Sequence, residues 1–390
     1  MLKQQYDANA FLSVIKKDDI RKWTPWKERD EKDSRAIAFA NSLIEKQYCI
    51  DPLQKSSRKG KTVYYPSSAE DYFALKLLDR YLRRIYKVVQ ADRSKIIRQI
   101  HSILEDGGDF TLIRADIKSF YESIDFNKCI NKIRHDMILT PSGVSLLVSL
   151  KDRYNEASVT SKGVPRGIGI SATMSEIYLR GLDENIRSCR DVVYYSRYVD
   201  DIFMFVDKSK RDNIEELLKK NIASAELYFN YDKKSTDETA VSCSLSYLGY
   251  YFEVKTKSHK RTTTIQIAPE KVNKIKQRIY KSFLDYKKGN NFQLLLNRLR
   301  YLSCNIAIKK TENGNLMGGN AYNYCYVTDP KCFKVFDGFI AGIISSFNLD
   351  PSQVSQIKRI SFYRAFVNKI VISLTRRQIA KIKEIWVYER

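Results

Sequence analysis

Asp200 and Asp201 stand side by side between two strand-length runs of β-branched and aromatic residues, 192–199 and 202–206. Such runs around a two-residue break outline a β-hairpin. Asp-Asp suits that break poorly, because tight hairpin turns favour Asn-Gly or Asp-Gly and adjacent carboxylates repel each other. A divalent cation offsets the cost, since hard Mg²⁺ takes oxygen ligands and holds substrate phosphates opposite one or two carboxylates. A solvated acidic turn is the competing reading, and the pair alone does not decide between them. A further carboxylate does. The short apolar run from Phe110 delivers Asp116 at its end, after which Phe120, Tyr121, Ile124 and Phe126 continue with helical spacing. If the two strands pair, Asp116 and the hairpin tip share one sheet edge. Three carboxylates converging there can hold two metal ions, one activating a 3′-hydroxyl and one carrying a triphosphate.

The elements that must position these acids follow in chain order. Residues 1–55 read as a polar helical extension, interrupted at Trp23-Thr24-Pro25-Trp26. A basic turn at 56–62, with Arg58 and Lys61, leads into a short strand; a flexible basic hairpin tip can grip a triphosphate, and a solvated basic loop is the plain alternative. Tyr72, Leu75, Leu78, Leu82 and Ile85 predict an amphipathic helix over 67–89, and a second helix spans 93–104. The glycine-rich stretch 162–172, with Arg166 and Gly167, opens a helix running through Met174, Ile177, Tyr178 and Leu182, where backbone can approach a ligand closely. A helix over 212–229 precedes Asn230 and Lys233, and 245–254 reads as a hairpin-like strand with Gly249 at its centre. Residues 268–310 read as helices dense in Lys and Arg, including Arg298 and Arg300, with Asp285 as the one inner acid. That imbalance fits a surface laid along duplex phosphates. Helices complete the chain.

Composition narrows the partners. A formal charge of +23 in 390 residues suits a polyanion, nucleic acid before membrane. No apolar run reaches membrane-spanning length, and the first residues lack the apolar core of a signal peptide, so a cytoplasmic protein is expected. Seven scattered cysteines without a C-x-x-C pair read as reduced thiols, and three histidines make a zinc site improbable.

Tyr198-Val199-Asp200-Asp201 resembles the YxDD motif of reverse transcriptases, and residues 113–125 resemble the strand-to-helix motif that carries their first metal-binding aspartate. The resemblance implies an α+β right-hand polymerase, with N-terminal extension 1–55, fingers and ferredoxin-like palm 56–254, and helical thumb and C-terminal region 255–390. It implies an RNA-directed, partly template-independent DNA polymerase, with two Mg²⁺ ions held by Asp116, Asp200, Asp201 and the Ile117 carbonyl. Tyr121 falls where the family places a ring that excludes a ribose 2′-hydroxyl; a core aromatic is the alternative. Arg166 stands where the family commonly has glutamine, which sets ordinary template checking apart from this chain's. Lys233 matches a lysine near the leaving pyrophosphate, with a surface lysine as the alternative. Glu176, where group II intron enzymes usually carry asparagine, resembles the abortive-infection and other defence-associated bacterial branch, including type 3 systems that pair two such enzymes. The implied partners are an RNA template or non-coding RNA, a DNA product, deoxynucleoside triphosphates, and a second polymerase subunit or another copy. An RNA-dependent RNA polymerase and a catalytically silent RNA-binding scaffold are the rival readings.

Overall fold

The computed structural model describes residues 3–16, 19, 34, 37–38, 41, 49–58, 60–108, 110–160, 162–230, 244–257, 260–311 and 314–387. They fall in two compact units, Met1–Asp92 with Phe110–Asp237, and Arg93–Asp109 with Glu238–Arg390.

In the first unit α1 (Ala8–Val14) starts at Asp7, whose carboxylate accepts from the Ala10 amide, and buries Phe11 and Val14. The hairpin of β1 (Gln54–Arg58) and β2 (Lys61–Tyr65) turns at Gly60, where φ is +70°. Next, α2 (Ala69–Ile85) buries Leu75, Leu78 and Leu82 as the spacing predicts, and also Phe73, Leu77 and Tyr81. Its apolar face is wider than expected because the N-terminal segment covers it: Tyr6 packs edge-on against Tyr81, ring centroids 5.5 Å apart. The polar-looking extension therefore supplies core. The helix α3 (Arg93–Asp106) belongs to the second unit.

After β3 (Phe110–Asp116) the predicted single helix is two, α4 (Phe120–Ser123) and α5 (Phe126–His135), because the Asp125 side chain caps a new start by accepting from the Lys128 amide. Then come α6 (Pro141–Ala157), α7 (Gly169–Arg187), the hairpin of β4 (Val192–Tyr198) and β5 (Asp201–Asp207), and α8 (Arg211–Ser224). This last helix stops short of the predicted Phe229. Glu226 is left-handed at φ +53°, and the chain instead runs antiparallel beside Ile117 at Phe229. The sheet has the order β3-β5-β4, all antiparallel. Central β5 is buried from Ile202 to Val206. Its Ile202, Met204 and Val206 join the helical core. Phe203 and Phe205 alternate onto the opposite face, the one that carries Asp116 and Asp201.

The second unit contains the meander β6 (Ser244–Tyr247), β7 (Tyr250–Lys257) and β8 (Lys260–Ile267), against which α3 packs. Its first turn places Leu248 and Gly249 at φ +47° and +83°, so Gly249 serves a tight hairpin turn. A helical pair follows, α9 (Pro269–Gly289) and α10 (Phe292–Ser303). The expected continuation of helix to 310 is instead the hairpin of β9 (Asn305–Thr311) and β10 (Gly314–Gly319). Short helices α11 (Asn320–Asn323), α12 (Lys334–Ile343), α13 (Pro351–Lys358) and α14 (Phe362–Val367) lead to β11 (Val371–Ile372), which joins β9 in parallel, and to α15 (Arg376–Val387). No helix among the described residues is long and apolar enough to cross a membrane.

Arg298 departs from the basic face assigned to this region. It is 2% exposed, donates from Nε to the Ile382 carbonyl at 3.3 Å, and is ion-paired with Asp285. It holds helices together and does not face solvent. Asp285→Ala should therefore lower unfolding stability by about 3 kcal/mol, measured by urea titration, since it strands a buried guanidinium.

Candidate functional site

The site begins at the hairpin turn, one residue earlier than the sequence indicated. Asp201 is already in β5, paired with Tyr198 on one side and Asp116 on the other, so the two turn residues are Val199 and Asp200. Val199 sits at φ +64°, a left-handed conformation that costs a β-branched residue about 1–2 kcal/mol. That conformation is held from behind by Arg197. Its NH1 donates to the Val199 carbonyl at 2.9 Å and to Glu176 Oε1 at 3.3 Å, and its NH2 donates to Glu176 Oε2 at 2.7 Å and Asp183 Oδ2 at 2.8 Å. Nε donates to Asp183 Oδ1 at 2.9 Å, which engages every N–H of the guanidinium. Tyr195 adds a bond from its hydroxyl to Asp183 Oδ1 at 2.6 Å. Burial by itself would lower the Arg197 pKa, but bonds and charge from Asp183 and then Glu176 outweigh it and raise it. For Tyr195, burial and then Asp183 push the phenol far above its usual range. The pair is buried, charged and fully bonded, so the turn is anchored to α7.

The three aspartates meet at the level of backbone. Asp116 and Asp201 are register partners, and the Ile117 amide donates to the Asp200 carbonyl at 3.0 Å. Asp116 is 7% exposed; Asn230 donates to its Oδ2 from Nδ2 at 3.0 Å and to its carbonyl from the backbone at 2.7 Å. Arg114, two residues earlier on the same face of β3, grips Asp201 through Nε to Oδ1 at 3.2 Å and NH2 to Oδ2 at 2.9 Å. Among the described residues no three His, Cys, Asp or Glu side chains stand close enough to enclose a metal ion. The donor chemistry nonetheless fits a hard cation. Two carboxylates are register partners, a third is on the adjoining turn, and no hydrogen bond to the Ile117 carbonyl is found among the described residues. Asp201 must leave Arg114 to use both oxygens.

Beside the acids, Tyr121 and Arg166 form one unit. Arg166 donates to Glu122 through Nε to Oε1 and NH2 to Oε2, both 3.0 Å, and its guanidinium lies 5.0 Å from the centroid of the Tyr121 ring. Burial raises the Tyr121 pKa, Arg166 opposes that, and the charge of Asp200 adds to it. The Tyr64 amide of β2 donates to the Arg166 carbonyl at 2.7 Å. Gly167, at φ +103°, has no room for a Cβ: one would lie 2.4 Å from Val63 Cγ1 and 2.8 Å from the Tyr64 carbonyl oxygen. The glycine that the sequence offered for close approach of a ligand is thus taken up by β2. Arg58 and Lys61 form the end pair of the β1–β2 hairpin, both exposed, and no bond among the described residues joins them to the aspartates. Lys233 lies outside the described residues.

Sequence reading missed Arg114, Glu122, Asp183 and Arg197, and named Asn230 without its bond to Asp116. Arg114 had a usable signal, since i and i+2 on a strand share a face and place it beside Asp116. The others act across elements distant in sequence.

Residues 73–252 match the family described as Reverse transcriptase (RNA-dependent DNA polymerase). No curated protein matches the chain. Among solved structures, a telomerase from Candida albicans in complex with a fragment of telomeric RNA aligns at 13% identity and TM-score 0.40, over 87% of this chain and 63% of that one. An apo telomerase from Candida tropicalis aligns at 10% identity and TM-score 0.40, over 88% and 68%. The chain thus spans about two thirds of the length of these neighbours. Helices and mostly antiparallel strands make both units α+β.

Replacing Arg197 by Met should destabilise the first unit by about 3 kcal/mol, because buried Asp183 and half-buried Glu176 are left without their cation. Urea unfolding followed by tyrosine and tryptophan fluorescence reads this directly.

Proposed function

Because the chain carries a reverse transcriptase domain over residues 73–252, we propose that it extends a 3′-hydroxyl end with deoxynucleotides, directed by RNA and in part without a template, at Asp116, Asp200 and Asp201. One observation carries the reading: Asp116 and Asp201 are register partners on neighbouring strands, tied to the Asp200 turn through the Ile117 amide. Asp116, Asp200, Asp201 and the Ile117 carbonyl would hold Mg²⁺, which when bound supplies Lewis-acid activation of the hydroxyl and neutralisation of the triphosphate. The chain's own part is positioning. Asn230 orients Asp116, and Arg197 fixes the turn that presents Asp200. Tyr121, backed by the Glu122–Arg166 pair, offers a rigid ring to the sugar of the incoming nucleotide. With Arg166 engaged in that pair, templating relies less on a side chain reaching the base at this position.

Arg58, Lys61 and Lys233 serve the triphosphate, and the basic residues of α9 lie along duplex phosphates. Residues 1–55 act as an extension on the fingers, 56–254 as fingers and palm, and 255–390 as thumb and C-terminal region. A cytoplasmic role in bacterial antiphage defence, with a bound non-coding RNA and a second subunit or copy, rests on the resemblance around Glu176. One observation favours the silent scaffold instead, namely that Arg114 occupies both oxygens of Asp201.

The two readings separate cleanly. The Asp200→Ala, Asp201→Ala double variant should lose primer extension by about a thousandfold or more, corresponding to several kcal/mol of transition-state stabilisation. Equal product from parent and variant would end the metal reading. Supplied with deoxynucleotides alone and ribonucleotides alone, the parent should use the former. Tyr121→Ala should raise relative ribonucleotide use about 10- to 100-fold, and Glu122→Gln should move it the same way by less. Incorporation of ribonucleotides only by the parent would make this an RNA polymerase.

A further inference from the structure

We propose that the second unit holds a binding site for single-stranded polynucleotide in a groove of about 700 Å³ between α10, α13, α14 and β11. Three arginines, Arg300, Arg359 and Arg364, line it, and no carboxylate does. All three are exposed, and none has a side-chain hydrogen bond or ion pair among the described residues. By contrast, Arg114, Arg166, Arg197 and Arg298 each face an acid. Exposed guanidinium groups with no acid paired to them are available to an anion.

The lining chemistry selects the anion. Guanidinium forks match phosphate oxygens in pairs, and Ser355 and Asn368 add neutral donors beside them. The nearby Asp337 is used internally, accepting from the Ser361 hydroxyl at 2.8 Å and the Phe362 amide at 2.7 Å. Ile360, Ile370 and Ile372 give the same groove an apolar side, suited to a sugar or base and not to an acidic peptide's carboxylates alone. The three cations come from separate elements and are all exposed, so the successive phosphates of one strand can reach them together. The inference does not depend on catalysis, because its test reads binding.

The test is photo-cross-linking of a 4-thiouridine-substituted oligo(U) strand to the full chain, with peptide mapping. Cross-links within residues 352–372 are expected. In the Arg359→Ala, Arg364→Ala variant those cross-links should fall at least tenfold while cross-links elsewhere on the chain persist, which also shows that the variant is folded. The salt dependence of strand binding at this groove should weaken by about 1.4 in log–log slope, about 0.7 for each lost phosphate contact on a single strand. Cross-links elsewhere but none in 352–372, or an unchanged yield in the variant, would overturn the proposal. Displacement by tripolyphosphate at an equal concentration of phosphate groups would also overturn it, in favour of a small polyphosphate ligand.

Discussion

The register between β3 and β5 is the constraint on which the site depends. Antiparallel pairing sets Asp116 opposite Asp201, and the strict two-residue alternation of side chains puts both on one face. A slip of one residue would send one carboxylate into the helical core with Met204 and leave the other alone. That slip is resisted from below, because Ile202, Met204 and Val206 on β5 and Ile113 and Ala115 on β3 must all face the core at once. The apolar pattern of two strands thus fixes where the charges lie.

Register alone does not shape the turn. Val199 is held in a backbone conformation that its branched side chain disfavours, and it lies directly before Asp200. Strain of this kind persists where surrounding bonds overdetermine it. Here the determinant is a buried guanidinium whose donors are divided among Asp183, Glu176 and the carbonyl of the strained residue itself. Taking these charges out of water is costly, and only complete bonding makes the arrangement tolerable. Specificity of the turn, more than net stability, is what such a cluster contributes. Glu176 gains its physical meaning in this setting as half of the counterion for Arg197.

A second coupling runs from the glycine-rich loop. Gly167 lets that loop press on β2, the Arg166 carbonyl takes the Tyr64 amide, and the Arg166 side chain reaches back over Tyr121 to Glu122. Movement of the β1–β2 hairpin would therefore be felt at the Tyr121 ring through a short path of covalent and hydrogen bonds. The opposing latch is Arg114 on Asp201. Its exposure and the ordinary mobility of a guanidinium at a sheet face make it a contact that an incoming cation or phosphate can compete for.

The sequence by itself determined the things that local pattern governs. Alternating and apolar runs located β3, β4 and β5, placed Asp116 at a strand end, gave α2 and α3 close to their observed limits, and marked where α7 and α9 begin. Helical and strand periods are written along the chain, so they can be read there. It misplaced the turn by one residue, since Asp201 reads as loop on propensity and becomes strand only because Asp116 and Tyr198 pair with it. It took Arg298 for a surface cation, because burial of a charge depends on an acid at a distance, Asp285, and on a covering helix, α15. The partners of Arg197 and Arg166, and of Asp116 at Asn230, were decided by tertiary structure alone. Each joins segments far apart in sequence, and the geometry of a charge-assisted bond exists only once the sheet and its helices have brought them together.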